Sequence, residues 1–185
     1  MYWVDVTIEG IAPILFHRMT EEEQESMAQS RTGGTKTVAQ KREEALVKVY
    51  RNGDGLFCPG ENIKKALLQA CTKASLKYGK KALYGYVEAL VFIEPHQVSF
   101  GKLEPDFVDE RVGRIPPRTG GRVIIYRPGL HGGWGLSFTL AVMDDRIPED
   151  HLKRALDEAG VLVGLCDHRP EFGRFVVKKW ETRRE

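Results

Sequence analysis

Apolar and polar positions along the chain switch between a period of two and a period of three to four, and the switches mark the elements. Tyr2, Val4, Val6 and Ile8 alternate with Trp3, Asp5, Thr7 and Glu9, the repeat of a strand with one buried face. The pattern predicts one long strand over 2–16, bent or bulged at Gly10 or Pro13. Residues 21–30 have helix-favouring composition but little apolar face, and the glycines at 33 and 34 break the segment. Residues 40–50 predict a helix with Ala45, Leu46 and Val49 as its stripe, followed by a turn at Asn52-Gly53-Asp54-Gly55. Leu56-Phe57-Cys58 is a short apolar piece, and Pro59-Gly60 opens a helix over 61–78, since proline suits a first turn that needs no N–H. Ile63, Ala66, Leu67, Ala70 and Ala74 form its buried face, and Gly79 is its expected C-cap.

Residues 86–100 predict a second long strand, interrupted by Pro95. Residues 102–133 hold Pro116-Pro117, Gly120-Gly121, Pro128-Gly129 and Gly132-Gly133, with room for one short strand over 122–126 between the breakers. A stretch of this length in a small domain is expected to have a function. Trp134, Leu136, Phe138, Leu140 and Val142 share one face of a third strand. Leu152, Ala155, Leu156 and Ala159 face inward on a helix over 150–160, and a last strand spans 172–180. The well-marked elements run strand, helix, strand, strand, helix, strand. That order matches the α+β, ferredoxin-like βαββαβ arrangement (RRM-like), a four-stranded sheet with two helices on one face. The expectation is one domain over 1–185, elaborated by a helical insertion after strand 1 at about 18–55 and a thumb-like hairpin or loop between strands 2 and 3 at about 102–133.

Composition narrows this picture little. The 185 residues can bury a core unaided, and the net charge of +2 does not mark a nucleic-acid binder. No apolar run is long enough to span a bilayer. The N-terminus alternates apolar and polar residues instead of reading as a signal peptide, so a cytoplasmic protein without membrane partners is expected. Cys58, Cys71 and Cys166 are odd in number and lack CxxC spacing, which points to small core residues and away from disulfides or zinc. The distribution of charge says more: from Arg111 to His131 there are five arginines and no acid, a basic stripe suited to phosphate.

Two segments carry a family resemblance. Leu56-Phe57-Cys58-Pro59-Gly60-Glu61-Asn62-Ile63-Lys64-Lys65-Ala66-Leu67 resembles the entry to the first helix in the repeat-associated (RAMP) proteins of CRISPR systems. Gly164-Leu165-Cys166-Asp167-His168-Arg169-Pro170-Glu171-Phe172-Gly173-Arg174-Phe175 occupies the place of their glycine-rich loop, with fewer glycines than that loop usually has. The resemblance implies a ferredoxin-like fold, binding of guide or repeat RNA, and a role as a backbone subunit of an antiviral effector filament. It also implies a thumb hairpin where 102–133 falls. A phage or mobile-element relative would share the fold.

The residues themselves offer a nucleic-acid face. Arg18, Lys64, Arg111, Arg114, Arg118, Arg122, Arg127, Arg169 and Arg174 could bind phosphate, with His168 and Gly173 in the C-terminal turn. Glycines let backbone N–H groups approach an anion, and arginines add forked bonds. Tyr126 is the expected stacking platform for a base, and Trp134 is expected in the core. No metal or cofactor motif is present, and no catalytic residue is assigned. The leading expectation is a subunit that binds single-stranded RNA, or single-stranded DNA, and associates with itself or other effector subunits. The second is a metal-independent endoribonuclease with His17 as general base and Lys64 or Arg174 stabilising charge. The third is a phage or mobile-element structural protein.

Overall fold

The computed structural model describes residues 1–20, 37–114 and 122–184. The predicted alternation holds in β1 (Tyr2–Gly10), where every second side chain is buried. β1 pairs antiparallel with β11 (Gly135–Val142) on one side and with β12 (Phe175–Arg184) on the other. β7 (Val91–Glu94) adds to the far edge of β11, giving the four-stranded order β12-β1-β11-β7. Leu136, Phe138, Leu140 and Val142 are buried on the same face as Tyr2, Val4, Val6 and Ile8. Trp134 is also core, and its indole Nε1 donates to the Ala12 carbonyl at 2.8 Å.

Two helices cover that face. α2 (Gly60–Lys73) follows β4 (Gly55–Pro59), and α4 (Glu149–Leu162) connects β11 to β12. Ile63, Ala66, Leu67 and Ala70 of α2 and Leu152, Ala155, Leu156 and Ala159 of α4 are buried in one shared core. Each large apolar side chain among them contributes roughly 1.5–3 kcal/mol through its removal from water. Gly160 lets α4 approach β12, because a Cβ there would stand 2.2 Å from the Phe175 carbonyl oxygen. The described residues are thus a mixed α/β structure with several antiparallel sheets. A three-stranded sheet runs β2-β10-β9, from β2 (Ile14–Leu15), β10 (Arg122–Leu130) and β9 (Phe107–Arg114). Another runs β3-β4-β8, from β3 (Arg51–Asn52), β4 and β8 (Gln97–Ser99).

Several predicted boundaries move. The strand expected over 2–16 splits at Gly10, and β2 joins a different sheet. The strand expected over 86–100 begins instead as helix α3 (Leu83–Leu90), because Leu83 and Val87, four apart, are the residues buried there. After Glu94 the missing N–H of Pro95 stops the ladder, and β8 turns to pair with β4. Helix α2 ends at Lys73, short of 78: Ser75 turns left-handed (φ 50°) and Leu76 N–H donates back to the Cys71 carbonyl at 2.9 Å. Gly79 is therefore no C-cap. It lies between β5 (Lys77–Tyr78) and β6 (Lys81–Ala82), which pair antiparallel. α1 (Val38–Leu46) is shorter than predicted. It starts at a Thr37–Gln40 capping box, buries Ala45, and leaves Leu46 42% exposed. The last strand starts at Phe175, after the turn, and runs on to Arg184. The helix expected over 21–30 lies outside the described residues.

Candidate nucleic-acid interface

The turn between α4 and β12 has a narrow neck made by two glycines. Gly164 (φ 77°) and Gly173 (φ 74°) stand on its two sides. A Cβ on Gly173 would stand 2.0 Å from the Leu165 carbonyl oxygen, and one on Gly164 2.7 Å from that of Phe172. Their N–H groups are used internally: Gly173 donates to Pro13 at 2.8 Å and Gly164 to Ala159 at 2.8 Å. The glycines therefore serve the approach of backbone to backbone within the turn. Asp167 N–H donates to Leu15 and anchors the turn beside β2. Among the described residues, the N–H groups of His168 and Arg169 donate to no protein acceptor. Both residues are exposed. With Lys73, Gln69 and Cys166 they line a groove of about 350 Å³. The Lys73 ammonium gives one hydrogen bond to the Leu162 carbonyl at 3.0 Å, leaving two donors.

The β9–β10 hairpin meets this turn. Its arginines divide by the two-residue period of the strands. Arg127 forms an ion pair with Asp167 of the turn. Arg111 bonds Asp109 at 2.7 Å, and its guanidinium lies 4.6 Å from the centre of the Phe172 ring. Both side chains thus join the hairpin to the turn. The register sets Arg122 and Ile124 on the opposite face, with Tyr126. There Tyr126 is 5% exposed, with Arg42 over its ring and bonded to Glu110 at 2.9 Å. Tyr126 is therefore a packed side chain. Arg122 is exposed. Arg114 ends β9; its side chain and the whole of Arg118 fall outside the described residues.

Lys64 has a structural post. Its ammonium donates to the carbonyls of Val87, Val91 and, at 3.1 Å, Glu88, closing the C-terminal end of α3. The Phe92 ring lies 5.6 Å away. Burial lowers its pKa, with Glu88 opposing. The ammonium is thus engaged within the fold, at the end of α3. His17 and Arg18 are exposed after β2, and Arg18 N–H donates to Lys48 at 2.9 Å. Arg174 is exposed where the turn enters β12, and its carbonyl accepts from Ile11 at 2.9 Å. Cys58 and Cys71 are buried, but Cys166 is half-buried on the groove. Sequence reading missed Lys73, because nothing in its helical position tells that the turn after α4 folds back beside it. It also missed Asp167 as the partner of Arg127.

Among the described residues, no three His, Cys, Asp or Glu side chains are grouped to hold a metal ion, and no helix is long and apolar enough to cross a membrane. The chain resembles in fold a chain in the cryo-EM structure of the Type III-B Cmr-beta bound to cognate target RNA. The likeness has a TM-score of 0.53 and 13% identity, over 98% of this chain and 60% of that one. This chain thus spans less than two thirds of its neighbour. No protein-family model and no curated protein matches the sequence.

Proposed function

We propose that the protein is a single-stranded RNA-binding subunit related to the RAMP proteins of CRISPR effector complexes. The groove lined by Lys73, His168 and Arg169 carries this reading. It joins two long cations to two undonated N–H groups on one open surface, the donor set that a phosphate backbone uses. The order β12-β1-β11-β7, with α2 and α4 in the connections, supports a ferredoxin-like βαββαβ core. The hairpin would then be its thumb-like insertion at 102–133, and 18–55 its helical one, within a single domain. The fold neighbour, a chain of an RNA-bound assembly, supports RNA and other subunits, or further copies of this chain, as partners.

Anisotropy titration of a labelled single-stranded RNA at several salt concentrations tests the proposal. Binding should be weakly sequence-selective, and each neutralised phosphate should add about −0.7 to the slope of log affinity against log salt. Absence of binding at low salt rejects it.

A further inference from the structure

The face of the four-stranded sheet turned away from α2 and α4 carries an aromatic row. The register sets Arg183, Trp3, Ala141 and Phe92 side by side across the sheet, with Asp5, Thr139 and Glu94 in the next row on the same face. Trp3 is half-buried and Phe92 exposed, and Ala141 between them is fully buried. Trp3, Glu94, Thr139, Arg183 and Arg184 line an open hollow of about 500 Å³, a size within the roughly 300–1,000 Å³ of small-ligand sites. Asp5 braces two of these side chains. It accepts from Thr139 Oγ1 at 2.8 Å, and it pairs with Arg183 through Nε at 2.8 Å and Nη2 at 3.0 Å. The planar guanidinium keeps further N–H donors for another anion. Among the described residues, the Trp3 indole N–H and the Glu94 carboxylate have no protein partner.

We propose that this hollow binds a guanine nucleotide, with its base stacked on Trp3, its N1–H and N2 amine on the Glu94 carboxylate, and its phosphate on Arg183. An indole offers a flat apolar surface to a base. A carboxylate only accepts hydrogen bonds, and guanine is the base that turns two parallel N–H donors toward it. Adenine sets an acceptor nitrogen beside its amine, which the carboxylate repels. A cationic ligand would suit Glu94 and Trp3 but would meet Arg183 and Arg184. Free GMP and a guanosine within an RNA strand share this chemistry. The hollow has no residue in common with the groove of Lys73, His168 and Arg169, so it stands apart from the function proposed above.

Isothermal titration calorimetry of the full chain with GMP, AMP and guanosine tests the proposal. GMP should bind about tenfold more tightly than AMP, the worth of one hydrogen bond to a charged group. Glu94→Gln should weaken GMP by about that factor and leave AMP unchanged. Arg183→Ala should weaken GMP but not guanosine. Trp3→Leu, which keeps apolar cover over Ala141 without a ring, should weaken both nucleotides at least about fivefold, and Trp3→Phe should restore most of the loss. Lys73→Ala with Arg169→Ala should leave GMP binding unchanged, so failure at the groove and failure here read out separately. A uridine-rich pentanucleotide with one central guanosine distinguishes the sources. If it displaces GMP at a lower concentration than GMP itself requires, the base comes from RNA; otherwise the ligand is the free nucleotide. Equal affinity for GMP and AMP, GMP binding that survives Glu94→Gln or Trp3→Leu, or no binding of GMP overturns the proposal.

Discussion

Lys64 shows how a residue type can suggest one role and its surroundings assign another. A lysine beside the helix entry of the resemblance reads as a phosphate contact. In the fold its stem crosses to α3 and its ammonium donates to three carbonyls at the end of that helix. That of Glu88 is among the last-turn carbonyls that a helix leaves without intrahelical partners, while that of Val87 also accepts from Val91 N–H. Lys64→Ala should lower stability by about 1–3 kcal/mol in urea unfolding, while the salt slope of RNA binding stays that of the wild type. A changed slope with intact stability would return Lys64 to the interface. Gly173 gives the sharper contrast. Its backbone is left-handed, and a methyl group there would meet the Leu165 carbonyl oxygen at 2.0 Å. Gly173→Ala should therefore cost roughly 3 kcal/mol or more. Gly79 has a similar φ of 60° but nothing within 4 Å, so Gly79→Ala should cost only about 1 kcal/mol. Thermal unfolding of the two variants side by side separates strain from collision. Both turn glycines stand out in the sequence, but a sequence does not show which atoms they approach.

At the scale of elements, periodicity is readable where one face is buried against one neighbour. β1, β11, α2 and α4 are such elements, and the predicted inward residues within them are buried, while Ala74, expected on the buried face of α2, falls past its end and is half-buried. It misleads over Leu83–Leu90, where Tyr84, Tyr86 and Val87 favour a strand by composition but Leu83 and Val87 bury as a helical pair. The hairpin is legible only in outline. Its five arginines look unopposed in the linear sequence, yet antiparallel pairing sets Asp109 beside Arg127 and Glu110 beside Tyr126. Asp106 secures the hairpin's base: it accepts from Lys102 at 2.7 Å and from His131 N–H at 2.9 Å, and its own N–H donates to Gly129 at 2.8 Å. The Lys102 bond first, with the His131 N–H assisting against burial, lowers its carboxyl below the ordinary 3.8. A carboxyl whose folded pKa lies below its unfolded one stabilises fully above the unfolded value and loses that contribution as pH falls through the folded value. Asp106→Asn should therefore cost about 1 kcal/mol near neutral pH, and the cost should vanish once pH is well below 3.8. Hydrogen exchange at β9 and β10 across that range checks it; an equal cost at every pH would assign the effect to packing.

For the whole molecule, the decisive question is which charges act together. Along the linear sequence, the basic stripe and the C-terminal turn look like one phosphate-binding face. The fold joins the two segments, but it does so by consuming Arg127 on Asp167 and laying Arg111 against Phe172. Among the described residues, Lys73 and Arg169 stand open at the groove, Arg174 is exposed where the turn enters β12, and Arg122 lies on the far face of the hairpin, with Ile124 and Tyr126. A strand lying in the groove would be neutralised by the first pair and not by Arg122. Lys73→Ala combined with Arg169→Ala should thus remove two phosphate contacts and flatten the salt slope by about 1.4. The melting temperature should hold nearly constant, since exposed charges contribute little to stability. Arg122→Ala should leave the slope within about 0.3 of the wild type, less than half of one contact. If Arg122→Ala flattens the slope as much as the groove variant does, the RNA runs over the hairpin's outer face, and the groove is not the place where it is held.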